Sequence, residues 1–170
     1  MTILALILLG VAAVAPLALG RKPIPEWVAP LVAVAALAGA AIAAAETRQV
    51  KGFALAATAV LVIVAAALGG LPLAPVAFRI ARRQPDAGAQ AVAGGPLQGG
   101  RIIGILERAA VAGAILAGWP EGMAIVLAVK GLARYPDLRE PHASEQFIIG
   151  TFTSVLWAIA VGGIGRGMLS

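Results

Sequence analysis

Residues 101–150 decide how this chain is organised, and they read RIIGILERAAVAGAILAGWPEGMAIVLAVKGLARYPDLREPHASEQFIIG. Only in this stretch do charged side chains sit inside apolar segments, with Glu107 and Arg108 in one segment and Lys130 and Arg134 in the next. A charge at membrane depth costs about 2.5–3.5 kcal/mol on insertion scales and persists where it is paired, hydrated or used. The stretch is therefore the candidate functional region.

The composition is that of a membrane protein. Of the 170 residues, 61% are hydrophobic and 12% are charged, and the mean hydropathy is +0.95. Soluble domains are about 45–50% apolar and about 25% charged. The absence of cysteine excludes disulfides, thiolate metal sites and a cysteine nucleophile. The net charge of +5 comes from basic residues scattered over short loops, so we attribute it to the positive-inside bias and expect no nucleic-acid partner.

Six apolar segments predict an all-α, polytopic transmembrane helix bundle. Residues 2–20 and 27–45 are each nineteen uncharged positions, enough to span about 30 Å of hydrocarbon. Basic residues follow the first segment rather than precede it, which favours a retained helix over a signal peptide. The uncharged stretch 52–78 predicts a span to about Gly70 and a broken or tilted extension to Arg79. Residues 102–118 and 122–135 predict a short helical hairpin, and residues 146–165 predict the last span.

Three regions follow from this pattern: an N-terminal membrane half of three helices (1–78), a linker (79–100) and a C-terminal membrane module (101–170). The linker is rich in Gly and Pro and has no apolar period, so we expect it to be flexible. Its GGPLQGG stretch lacks the spacing of a dinucleotide or P-loop fingerprint. Residues 136–145 predict a polar loop in which His142 is solvated.

The distribution of basic residues predicts the orientation. Eight Lys and Arg residues fall in the loops after the first, third and fifth segments, against three on the opposite side. The eight are Arg21, Lys22, Arg79, Arg82, Arg83, Arg101, Arg134 and Arg139, and the three are Arg48, Lys51 and Arg166. Because cytoplasmic loops carry the excess, this places the linker in the cytoplasm and both termini outside the cell inner (plasma) membrane.

A polar layer is predicted across the hairpin. The turn at residues 119–121 is so tight that the fourth and fifth segments must be antiparallel neighbours. Glu107 and Lys130 each lie about 15–18 Å from this turn, so an ion pair is geometrically available. Arg134 lies one helical turn beyond Lys130, and two hydroxyl side chains near the start of the sixth segment reach a comparable depth. The predicted layer consists of Glu107, Lys130, Arg134, Thr151 and Ser154.

Small residues predict close helix packing at Gly104, Gly150, Ala158 and Gly162. Trp157 falls in mid-span and is expected to pack. Two interpretations of the polar layer stay open. In the first it is a structural clamp that sets helix register, while Arg108 and Arg134 snorkel to lipid head groups. In the second it binds or relays an ion, a proton or a lipid head group.

Three motifs occur in order in this region: GRIIGILER (100–108), AVKGLARYPDL (128–138) and EQFIIGTFTS (145–154). They resemble the C-terminal module of an uncharacterised bacterial membrane protein family, in which GRxIGxLER, AxKxxxRxxxL and IGTxxS recur together. Small actinobacterial membrane proteins of unknown function are similar over the same region. The chain departs from the family pattern at Gly131, where serine is frequent. The resemblance implies that Glu107, Lys130 and Thr151 are important, and it implies no chemistry.

Three classes of function follow. The first is a non-enzymatic structural or accessory membrane module, and the second is a small oligomeric transporter or channel that uses Glu107 as a proton- or cation-coupling carboxylate. An intramembrane enzyme is the weakest, because the chain has one histidine, no cysteine and neither an HExxH nor a GxSxG motif. We expect no catalytic residue, cofactor or metal ion. The expected partners are the lipid bilayer and either a second copy or a membrane partner protein.

Overall fold

The computed structural model describes residues 1–20, 23–47, 49–81, 100–136, 139 and 141–170, without the side chains of 141–143. Seven α-helices occur within these ranges. They are α1 (Thr2–Leu19), α2 (Val28–Ala45), α3 (Phe53–Gly69), α4 (Leu73–Ala81), α5 (Gly100–Leu116), α6 (Glu121–Arg134) and α7 (Pro141–Leu169). The described part of the chain contains no strand, so the all-α prediction is confirmed.

Four stretches of the described chain are long and apolar enough to cross a membrane. They are α1, α2, the α3–α4 stretch Phe53–Ala81, and Ser144–Leu169 within α7. The short hairpin is also present: α5 has 17 residues, at the lower limit of the roughly 17–25 that a span requires, and α6 has 14, below that limit. The molecule is therefore a helix bundle with four stretches long and apolar enough to cross a membrane and one short antiparallel hairpin.

The third apolar segment is broken where the sequence predicts. The helix α3 ends at Gly69, and α4 begins at Leu73 after a turn in which the Leu71 N–H donates to the Leu68 carbonyl at 3.1 Å. Pro72 immediately before α4 has no N–H to continue the ladder. The break leaves carbonyl groups at the end of α3 without donors from their own helix.

Alanine dominates the interface of α1 with α2 and α3. The fully buried alanines include Ala5, Ala12, Ala33, Ala40, Ala65 and Ala66. Pro16 has no N–H to donate to the Ala12 carbonyl, and this oxygen faces α3, 2.6 Å from the point where a Cβ on Gly69 would lie. Small side chains thus let the backbones approach closely, as membrane helix interfaces require.

Both chain termini lie at the same end of the bundle. The Val50 N–H donates to the Met168 carbonyl at 3.0 Å, which joins the α2–α3 loop to the end of α7. The helices α1 and α2 are antiparallel, with Leu8 against Gly39, so α1 begins beside the end of α2. The end of α1, the start of α2 and α4 lie at the opposite end.

The helix α7 is longer than the predicted last span. It begins at Pro141, so the predicted polar loop is wrong for residues 141–145. Proline suits the first helical position, where its missing N–H has no intrahelical role. His142 is therefore helical rather than in a loop, and its side chain lies outside the described atoms. Residues 82–99 of the predicted linker lie outside the described residues.

Candidate functional site

Glu107 of α5 and Lys130 of α6 form a salt bridge, the pair that their equal distances from the turn make available. Their side chains are 15% and 19% exposed, so both charged groups are largely withdrawn from the surface. The Lys130 ammonium also lies 6.0 Å from the ring centre of Phe147, at the edge of the range for a cation–π contact. Lys130 thus ties α6 to both α5 and α7.

Arg108 occupies the centre of the site, and the expectation that it snorkels to head groups is wrong. The residue is 5% exposed. Its Nε donates to the carbonyls of Ala66 and Ala67 at 3.2 and 3.0 Å, and its Nη2 donates to Ala67 at 2.8 Å. Its Nη1 lies 3.5 Å from Ser154 Oγ, at the long limit of a hydrogen bond. Successive helical residues point about 100° apart, so Glu107 faces α6 while Arg108 faces α3 and α7.

The carbonyls that Arg108 contacts belong to the end of α3. A helix C-terminus carries partial negative charge and unsatisfied oxygens, so a cation there is favourable. Trp157 of α7 adds a third donor, because its Nε1–H donates to the Ala65 carbonyl at 3.1 Å. Trp157 is 4% exposed, so it packs in mid-span as expected and also makes a hydrogen bond. Arg108 and Trp157 together donate hydrogen bonds to three consecutive carbonyls, those of Ala65, Ala66 and Ala67.

Gly69 and Gly70 provide the space for these two side chains. A Cβ on Gly69 would lie 2.5 Å from Trp157 Cζ2, and a Cβ on Gly70 would lie 2.7 Å from Arg108 Cδ. Real Cβ atoms do not approach other atoms that closely. The glycine pair therefore ends α3 and also admits the two residues that satisfy its carbonyls.

A cavity of about 10 Å³ lies between the ion pair and Arg108. Its polar lining comes from Glu107, Arg108, Lys130 and Ser154, and the rest is aliphatic. A guanidinium has five N–H donors, so Arg108 can still donate into this space. The volume is that of about one water molecule.

The remaining predicted polar residues are placed differently. Ser154 joins the layer through Arg108 and the cavity. Thr151 is 8% exposed, and its Oγ1 is the one buried side-chain polar atom of the described chain without a hydrogen-bond partner. Arg134 is half-buried in the last turn of α6.

The predicted packing positions differ in whether they face another helix. A Cβ on Gly162 would lie 3.1 Å from Ile115 of α5, and one on Gly150 would lie 3.0 Å from Phe78 of α4. Ala158 is fully buried. Gly104 instead faces its own helix: the described atom that its Cβ would meet is Arg108 Nη1, at 3.3 Å. Gly165 was not among the predicted packing positions, but a Cβ there would lie 2.5 Å from Val62 of α3.

The hairpin turn is anchored by a residue that the sequence analysis counted only as a loop charge. Arg166 near the end of α7 donates through Nη1 to the carbonyls of Leu116 and Ile115, at 3.0 and 3.4 Å. Gly118 follows with φ of +69°, and a Cβ there would lie 2.7 Å from Arg166 Nη1. Arg166 thus caps the C-terminal end of α5, as Arg108 caps that of α3.

No three His, Asp or Glu side chains of the described residues come together as a metal site would require. Comparison with protein-family models, with curated proteins and with solved structures finds no match to this chain. The resemblance carried by the three sequence motifs therefore stays a prediction.

Proposed function

We propose that this chain is a multi-pass integral protein of the cell inner (plasma) membrane with a non-enzymatic, structural or accessory role. The charged layer formed by Glu107, Arg108 and Lys130 locks the α5–α6 hairpin to the rest of the bundle. Four stretches long and apolar enough to cross a membrane support the location. The eight-to-three distribution of basic residues supports an orientation with both termini outside the cytoplasm.

One observation carries the structural role: each charged group of the layer has its partners within the chain. Glu107 pairs with Lys130, and Arg108 donates to the carbonyls at the end of α3. The adjoining cavity of about 10 Å³ has room for about one water molecule. A pathway for ions needs a wider polar space, whereas a clamp needs internal partners of this kind.

A double-mutant cycle tests the clamp. Glu107→Gln and Lys130→Met should each destabilise the protein by up to about 3–5 kcal/mol, because each leaves a charge without its partner. The double variant should be much less destabilised than the sum of the single variants. Folding free energies in mixed micelles supply the measurement, and Glu46→Gln with Lys51→Met, at exposed positions, supplies the matched control. Simple addition of the two single effects would refute the clamp.

The alternative is a small oligomeric transporter or channel in which Glu107 couples to a proton or a cation. The small cavity beside Glu107, whose lining also includes Lys130 and Ser154, is the observation that favours it. Proteoliposomes with a proton- or cation-sensitive dye distinguish the two functions when the wild type is compared with Glu107→Gln and with Glu46→Gln. We expect no flux that depends on Glu107, and a flux abolished only by Glu107→Gln would overturn the structural role.

An accessory role also needs a partner surface. The partner is a second copy or another membrane protein. The helix α6, like the other helices, exposes apolar side chains that a partner or lipid can cover. Its exposed apolar side chains are Ile125, Leu127, Val129 and Leu132.

A further inference from the structure

A cleft separate from the charged layer lies at the end of the bundle opposite the chain termini. It has a volume of about 360 Å³ and lies between the end of α1, residues 24–29 before and in the first turn of α2, and α4. Such a volume falls within the roughly 300–1,000 Å³ of small-molecule sites. Its apolar walls include Pro16, Leu19, Pro25, Ala29, Pro72 and Pro75. Proline fixes its own backbone angle, so four of these residues make the walls stiff before any ligand arrives.

Among the described residues that line the cleft, two carry opposite charges. Glu26 and Arg79 form a salt bridge there, and their side chains are 70% and 43% exposed. The Arg79 Nε donates to the Pro75 carbonyl at 3.4 Å, which directs the guanidinium from α4 toward the cleft. An exposed pair of this kind is worth about 0–1 kcal/mol, so a ligand that brings both charges can exchange partners with it at little cost.

The position of the cleft identifies the class of ligand. It lies where α1 ends and α2 begins, at one end of two helices long enough to cross a membrane. If these helices span the bilayer as proposed above, the cleft lies at the boundary between acyl chains and head groups. Its apolar walls then suit the acyl-proximal part of a lipid, and its charged pair suits a head group.

We propose that this cleft binds the head group of a phospholipid that carries both a phosphate and a primary amine. The Arg79 guanidinium donates to the phosphate, for which its planar fork of donors is suited. The Glu26 carboxylate accepts hydrogen bonds from the protonated amine. An anionic head group without an amine would satisfy Arg79 and leave Glu26 facing a like charge, so the site discriminates by the amine.

Native mass spectrometry of the full chain in detergent tests this, with phosphatidylethanolamine and phosphatidylglycerol of identical acyl chains. We expect the wild type to bind phosphatidylethanolamine about two- to fivefold more tightly, the ratio that about 0.4–1 kcal/mol of exposed ion pairing gives. Glu26→Gln should abolish this preference, and Arg79→Gln should weaken binding of both lipids. The controls Glu46→Gln and Lys51→Gln should keep the preference. A wild type without preference, or a preference that survives Glu26→Gln, overturns the proposal.

Two further experiments test whether the ligand is a lipid and whether the order of the two charges matters. Free phosphoethanolamine should not displace the lipid at equal concentration, and displacement would make the ligand a soluble metabolite and overturn the assignment to a lipid. The charge-swapped double variant, Glu26→Arg with Arg79→Glu, keeps an ion pair but reverses its order. It should recover the thermal stability of the wild type without the lipid preference. A preference that persists in the swapped variant would show that it does not come from a carboxylate at position 26 and a guanidinium at position 79, and it would overturn the proposal. The outcome is independent of the Glu107–Lys130 cycle, so the two proposals fail separately.

Discussion

Replacement of Arg108 by methionine is the sharpest perturbation of the charged layer. Methionine retains an apolar stem and removes the guanidinium, so the carbonyls of Ala66 and Ala67 lose the donors that reach them at 2.8–3.2 Å. Hydrogen bonds to a charged donor contribute about 1.5–3 kcal/mol, and a buried carbonyl left unsatisfied costs about 1–3 kcal/mol. Removing Arg108 also relieves the cost of its own burial, which offsets part of this loss. We expect a net destabilisation of about 3 kcal/mol.

Arg108→Lys separates geometry from charge. Lysine keeps a cation beside the end of α3, but its single ammonium cannot reproduce donors on three nitrogen atoms. We expect it to recover about half of the loss, because the attraction of a cation to a helix C-terminus remains. The matched control is Arg101→Met, an exposed arginine two turns earlier on α5, which should change stability by less than about 0.5 kcal/mol.

The measurement is the free energy of unfolding from titration with a denaturing detergent in mixed micelles, followed by tryptophan fluorescence. If Arg108→Met is as stable as Arg101→Met, the carbonyls at the end of α3 are satisfied by other donors, and the capping role of Arg108 is refuted. If Arg108→Lys equals the wild type, charge alone accounts for the effect and the planar fork is irrelevant.

Three further predictions address the rest of the chain. Gly69→Ala should destabilise by about 1–3 kcal/mol, because its Cβ would lie 2.6 Å from a backbone oxygen, whereas Gly163→Ala, with no neighbour within 4 Å, should be neutral or stabilising in the same titration. Gly118→Ala should cost about 1–2 kcal/mol from its φ of +69° alone, and a near-neutral result would mean that the turn relaxes. A reporter active only in the cytoplasm should be active after Gly94 and silent after Ser170, and an active C-terminal fusion would reverse the proposed orientation.

Helix positions were largely predictable because each apolar segment is bounded by charged or helix-breaking residues. The break after Gly70 also followed from sequence, since adjacent glycines and Pro72 cannot sustain the helical ladder. The start of α7 was missed because residues 141–145 are polar, and hydrophobic content is a poor signal for a helix that extends beyond the apolar layer. The available signal for the start of α7 was Pro141, because proline is favourable at the first helical position.

The Glu107–Lys130 pair was predictable because a tight turn fixes which residues of two antiparallel helices share a depth. The partner of Arg108 was not, since nothing in the spacing of residues shows which distant helix faces α5. A physical signal did exist. A helix that stops at Gly69 within an apolar stretch leaves carbonyls that no water can reach, and an arginine in another apolar segment is a natural donor for them.

The break in α3 and the buried charge on α5 explain each other. An arginine inside the bundle is costly unless several acceptors meet it, and an intact α3 would offer fewer, because each carbonyl would already accept from the amide four residues on. The Gly69-Gly70 pair both frees carbonyls and leaves room for the Arg108 stem. Once Arg108 points toward α3, the 100° step between successive residues directs Glu107 toward α6, where a carboxylate needs a cation of its own. Lys130 supplies this cation. The ion pair of the hairpin therefore follows from the orientation of the neighbouring Arg108, which donates to the carbonyls at the end of α3.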